Sequence, residues 1–150
     1  MANMEAQVVF TIGYEGSGID DFISRLKSLC ITRLIDIREL PLSRKKGFSK
    51  SQLRQRIEAE NIEYVHIREL GSPAAIRHQL KEDLDYERYF SAYSRHLSEN
   101  QDAIIKVHDY VQTGLSCLMC YERSYDKCHR SVVATRIKEY DGNGLEIIHV

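Results

Sequence analysis

Five short runs rich in β-branched and apolar residues, VVFTIG (residues 8–13), TRLIDIREL, IEYVHI, LSCLMC and LEIIHV, recur along the chain. Between them lie segments whose apolar residues fall every third or fourth position. This alternation constrains the fold more than any other feature. A strand that must pass through a helix before the next strand begins joins its neighbours by crossover connections, which favours a parallel sheet. The runs stay apolar at successive positions instead of alternating, as strands buried on both faces do. The expectation is an α/β protein: one single-domain, three-layer fold over residues 1–150, with a mainly parallel sheet of about five strands and helices on both faces.

The connecting segments read as follows. Ser17 and Asp20 resemble a capping box, after which Ile19, Phe22, Ile23 and Leu26 predict a helix to about Leu29. The strand TRLIDIREL is expected to run to about Arg38. Ser49 and Gln52 form a second capping-box pattern before a helix marked by Leu53 and Ile57, and Asn61 suits a left-handed C-terminal position. From Asp83 to Leu97, Tyr86, Tyr89, Phe90, Tyr93 and Leu97 predict a helix packed by a tyrosine-rich stripe. Asn100 or Gln101 opens another helix, through Ile104, Val107 and Val111, which Gly114 stops. A last helix, from His129 through Tyr140, meets the turn DGNG.

At 150 residues the chain suits one sizeable core, and its net charge of -1 gives no global pull toward nucleic acid or anionic membranes. The opening MANMEAQVVF has no basic region leading into an apolar run, and no later run is long enough to span a bilayer. A cytoplasmic protein without membrane partners is expected; its oligomeric state is not legible. Cys30, Cys117, Cys120 and Cys128 are too few for a disulfide framework, and in a reducing compartment they are thiols.

In parallel sheets ligands bind beyond the carboxyl ends of the strands, so the residues there matter most. After the first run comes GYEGSG, where Gly13 and Tyr14 stand before a helix start able to receive an anion. After the second come Asp36 and Arg38, then PLSRKKGFSKSQLRQR, a local positive field from Arg44 to Arg56. The third delivers Glu69, and the fourth Cys120 and Glu122, with Cys128, His129 and Arg130 at the next helix start. Thiols, carboxylates, an imidazole and guanidiniums gather where solvent loops would more often carry Ser, Asn, Lys and Gly.

Cys120, facing a helix N-terminus and cationic neighbours, is a candidate nucleophile, whereas Cys117 reads as a small hydrophobe within a strand. His129 is a candidate general acid or base, set against a packing role. Arg130 could hold phosphate, although its separation from Cys120 is too long for a Cys-x-x-x-x-x-Arg phosphatase loop. Zinc on Cys117, Cys120, Cys128 and His129 is disfavoured, because residues three apart on a strand face opposite ways and adjacent Cys128 and His129 are awkward partners. No metal or cofactor is expected. A redox pair of Cys120 and Cys128 is less favoured because the two are not arranged as Cys-x-x-Cys, although the intervening loop YERSYDK could bring them together.

The pieces TIGYEG, LIDIRELPLSRKKGFSKSQL, IEYVHIRELG and LMCYERSYDKCHRSVVA, in this order, resemble the family catalogued as domain of unknown function 488. The likeness covers nearly the whole chain. It rests on Gly13, Asp36, Arg38, Pro41, Arg44, Phe48, Glu69, Gly71, Cys120, Glu122, Cys128, His129 and Arg130. The family pattern commonly has histidine where Tyr14 stands and Ser or Asn at Glu15, so the first loop departs from it. The resemblance implies no assigned activity, and some relatives carry DNA-repair or nucleic-acid labels.

Two functions follow. The first is an enzyme acting on a phosphate-bearing substrate, a nucleotide or nucleic acid, in a strand-end cleft containing Cys120. Gly13, Tyr14, Arg38, Arg44 and Arg130 would bind phosphate, and Cys120, His129, Asp36, Glu69 and Glu122 are the candidates for the chemistry. The second is a non-catalytic nucleic-acid or nucleotide binder using the basic segment Arg44 to Arg56. The first requires distant segments to meet in one cleft.

Overall fold

The structure, a computed structural model, describes residues 7–125 and 129–150. In chain order the elements are β1 (Val8–Gly13), α1 (Ile19–Ser28), β2 (Arg33–Asp36), α2 (Lys50–Glu58), β3 (Glu63–His66), a 3-10 turn (Arg68–Leu70), α3 (Ala74–Asp83), α4 (Tyr86–Ser98), α5 (Gln101–Gln112), β4 (Ser116–Cys120), α6 (His129–Asp141) and β5 (Glu146–His149). The strands form one sheet in the order β3-β2-β4-β1-β5, with every neighbouring pair parallel. The α/β fold expected from the alternation is therefore the fold observed. No helix among the described residues is long and apolar enough to cross a membrane.

Two cores flank the sheet. Phe22, Ile23 and Leu26 of α1 and Leu53 and Ile57 of α2 pack on one face with Ile12, Cys117 and Met119. On the other, Tyr93 and Leu97 of α4, Ile104, Val107 and Val111 of α5, and Val133 and Ile137 of α6 pack with Val9, Leu118 and Cys120. All five residues of β4 are buried, and successive side chains alternate between the cores, as the period of two requires. At roughly 1.5–3 kcal/mol for each large apolar side chain, burial on both faces is the main stabilising contribution.

Several local expectations are corrected. The two capping boxes do not form: Gly18 precedes α1 without a side-chain cap, and Ser49 precedes α2 likewise. The Ser49 hydroxyl instead joins the basic loop, accepting from Ser43 N (3.0 Å) and donating to Ser43 O (3.2 Å), while Gln52 Oε1 accepts from Gly47 N (3.1 Å). Loop closure wins these side chains because it satisfies backbone groups of a turn that has no ladder of its own. β2 ends at Asp36, short of Arg38, because the Arg38 N–H turns to Asp36 Oδ1 (3.1 Å). α4 opens later than Asp83, at Tyr86, where Asp85 accepts from Arg88 N (3.0 Å) as a true cap. Asn61 does take a positive φ, 59°.

The topology positions a cleft. β4 lies between β1 and β2, whose following helices α1 and α2 pack on one face, whereas α6, which follows β4, packs on the other. Connections that diverge to opposite faces leave a crevice at the carboxyl ends of these strands.

Candidate functional site

The β2 end is built around a buried charge pair. Asp36 is fully buried, and Arg38 meets it side-on through Nε to Oδ1 (2.9 Å) and Nη2 to Oδ2 (2.7 Å). Tyr64 Oη also donates to Asp36 Oδ2 (2.5 Å), and Arg38 Nη1 donates to Phe48 O (2.7 Å) and Tyr14 Oη (3.2 Å). Burial alone would lower the Arg38 pKa, yet the Asp36 bonds and charge outweigh it and raise it. Burial and the neighbouring carboxylate push Tyr64 up, so it stays a phenol and a donor. Asp36 therefore orients Arg38, and Arg38 ties the basic loop to the sheet through Phe48. Tyr14 stacks on Phe48 with ring centroids 4.4 Å apart, completing the wall.

The β4 end is built around a second buried cation. Arg130, at the start of α6, is fully buried; its Nε donates to Thr11 Oγ1 (3.2 Å), its Nη2 to Arg123 O (2.9 Å), and its Nη1 to Cys120 Sγ (3.2 Å) and to the Glu122 carbonyl. Burial lowers its pKa, partly offset by Glu122. The guanidinium thus holds the loop after β4 in place. Gly13 lies against the same loop: a Cβ there would stand 1.7 Å from the Glu122 carbonyl oxygen and 2.9 Å from Arg130 Nη1. Only glycine allows this approach.

This loop presents Glu122 beside His129. Burial raises the Glu122 pKa, favouring its neutral form. His129 Nε2 lies 3.1 Å from the Ile37 carbonyl, which can only accept, so Nε2 carries the proton. Burial lowers the His129 pKa to about 4, leaving a neutral imidazole at pH 7, held edge-on against Tyr93 (5.4 Å). A ring nitrogen of His129, a carboxylate oxygen of Glu122 and the Cys120 sulfur lie within 4.8 Å of one another. Cys120 is fully buried and disulfide-bonded, where a thiol was expected; Cys30 and Cys117 are free thiols. Burial raises the Cys117 pKa, in keeping with its reading as a small hydrophobe.

Glu122 and His129 stand at one end of a cleft of about 760 Å³, within the range of small-molecule sites. Tyr14, Arg38 and Tyr121 continue the floor, and the loop from Glu39 to Arg44 forms one side. α3 also lines the cleft, through Arg77, Leu80 and Lys81, with Leu84 just beyond it, at helical spacing. Arg77 is held at the Ser72 carbonyl and near Glu39 (3.4 Å). Arg44 and Lys81, both exposed, make no ion pair among the described residues. Leu40, Leu42, Leu84, Tyr86 and Tyr121, among the most exposed large hydrophobics of the protein, gather at this cleft.

The sequence candidates therefore separate. Tyr14, Arg38, Arg44, Glu122 and His129 line the cleft, and Gly13, Cys120 and Arg130 lie beneath its β4 side. Asp36 is enclosed behind Arg38. Glu69 is brought elsewhere: it is exposed and lines a different groove, with His66, Asn100 and Lys106. Cys128 lies outside the described residues. Arg77 and Lys81 were not foreseen, whereas Tyr121 comes from the strand end the sequence pointed to. The spacing of Arg77, Leu80, Lys81 and Leu84 was the available signal, but α3 buries no residue, so it carries none of the apolar periodicity by which helices are found.

Fold and site together define a parallel α/β protein with a polar, aromatic-walled cleft at the carboxyl ends of its central strands. A family model described as domain of unknown function DUF488 matches residues 18–137, and the chain belongs to that family. No curated protein and no solved structure matches it.

Proposed function

We propose that this protein is an enzyme acting on a phosphate-bearing, nucleotide-like substrate in the strand-end cleft. The observation that carries the reading is the joining of Arg44 and Lys81, cations without an acidic partner among the described residues, to tyrosine walls and to the Glu122–His129 pair in one cavity. Cations bind phosphate, and Tyr86 and Tyr121 offer flat apolar faces to a base or sugar. Glu122 and His129 are the reacting groups in this reading. Arg38 and Arg130 hold the two loops in place rather than the substrate. A cytoplasmic location accords with this reading.

The basic segment supports the nucleic-acid alternative less well, because two of its cations are already paired: Arg54 with Glu58 (2.8 Å) and Arg56 with Asp20 (2.6 Å). The test is calorimetric titration of the full chain with nucleoside 5′-mono- and diphosphates, followed by chromatography for cleavage products. Wild type binds; Arg44→Ala and Lys81→Ala each weaken binding about 10-fold or more, the loss of a charge-assisted hydrogen bond. Glu122→Gln keeps binding and loses turnover. No binding at millimolar nucleotide, or binding indifferent to both cation variants, overturns the proposal.

A further inference from the structure

We infer that Cys120, Glu122 and His129 form a site for a divalent, zinc-type cation, which becomes available when the Cys120 disulfide is reduced. This rests on the cleft reading only in sharing its floor. Cys120 ends β4 and Glu122 lies two residues beyond it in the following loop, which returns its carboxylate to within 4.8 Å of the Cys120 sulfur and a His129 nitrogen, while Cys117 faces the opposite core. The objection to Cys117 and Cys120 sharing an ion therefore stands and does not touch this trio. Sulfur, carboxylate and imidazole are the donor types zinc selects, and three protein donors with one open position is the arrangement of catalytic rather than structural zinc.

Donor atoms around a tetrahedral zinc lie roughly 3.3–3.8 Å apart, from bond lengths of about 2.0–2.3 Å. The trio, within 4.8 Å, needs a contraction of at most about 1.5 Å. Its surroundings suit the task. The His129 ring is oriented by the Ile37 carbonyl, the kind of outer contact that fixes the tautomer of a ligating histidine. Arg130 Nη1 lies 3.2 Å from the sulfur and so fixes where the Cys120 side chain stands.

The chemistry balances with a dithiol as reductant. Two electrons and two protons pass to the S–S bond, giving two thiols, and the dithiol becomes its own disulfide. Metal binding then displaces the Cys120 thiol proton into solvent, and the sulfur lone pair forms the metal bond.

Cobalt(II) reports the site without any nucleotide. The full chain is treated with dithiothreitol, freed of it under anaerobic conditions and titrated with Co²⁺. The expected result is one ion per chain, with sulfur-to-cobalt charge-transfer absorption and tetrahedral visible bands that Zn²⁺ abolishes. The oxidised chain and Cys120→Ser lack the charge-transfer band, Glu122→Gln weakens binding at least 10-fold, and Cys30→Ser changes nothing. Circular dichroism melts establish that each variant is folded. A folded, reduced wild type without the band, a band that survives Cys120→Ser, or an affinity unmoved by Glu122→Gln overturns the inference. Any of these leaves the nucleotide titration as it was, so the two proposals fail separately.

Discussion

Asp36 shows how a residue can sit at a strand end without facing the cleft. Its carboxylate is enclosed by Arg38 and Tyr64, and it acts by holding Arg38 against the Phe48 carbonyl. Removing one member of a buried pair leaves the other charged and unpaired, which costs more than the pair itself contributes. Asp36→Asn is expected to destabilise the fold by about 3–5 kcal/mol, measured by urea unfolding. Gly13 makes a similar point without charge. Its Cβ position lies within 1.7 Å of the Glu122 carbonyl, and neither backbone can yield without moving the loop that Arg130 holds. Gly13→Ala should cost about 1–3 kcal/mol in the same measurement and weaken nucleotide binding, because the displaced loop carries Tyr121 and Glu122 into the cleft. A milder loss with unchanged binding would show that the loop is not held this way.

At the scale of elements, α5 and α6 are clasped by His108 Nε2 and Asp141 Oδ1 (2.7 Å), and Asp141 also accepts from the Asn143 and Leu145 N–H groups of the turn into β5. The His108 hydrogen bond, more than the backbone bonds, holds the Asp141 pKa below the ordinary carboxylate value. A carboxylate whose pKa is depressed on folding adds stability that is complete above its unfolded value, near 4, and is lost as pH falls through the lower folded value. Wild type should therefore lose more stability than Asp141→Asn between about pH 6 and pH 3, read as the shift in urea midpoint. Equal shifts would remove Asp141 from the acid response. α3 teaches a different lesson about elements. It is a full helix with no buried side chain, and it lines the cleft. Pattern reading finds helices by the stripe they bury, and a helix that buries no side chain offers no such stripe.

For the whole molecule, the decisive feature is where positive charge ends up. In the sequence the cations from Arg44 to Arg56 form one block, yet folding sends Arg44 into the cleft and pairs Arg54 and Arg56 with acids on α2 itself and on α1. The double variant Arg54→Ala and Arg56→Ala should leave nucleotide affinity within about 2-fold of wild type, since exposed paired charges contribute little. A loss comparable to that of Arg44→Ala would return the function to the basic helix.

Sequence alone determined the alternation of strands and helices, and hence the α/β class, because side-chain periodicity and the burial of both sheet faces are properties of short segments. It also put the carboxyl ends of the strands on one edge, because in a parallel sheet every strand leaves on the same edge. Only the tertiary structure decided which charged groups face the cleft. Asp36 and Arg130 look no different from Arg44 and Glu122 in a string of letters, and Glu69 leaves β3 on the same edge only to turn into another groove. What separates them is the partners that folding supplies: Arg38 and Tyr64 for Asp36, and Thr11 with the loop carbonyls for Arg130, whereas Arg44 lines the cleft without an ion pair among the described residues.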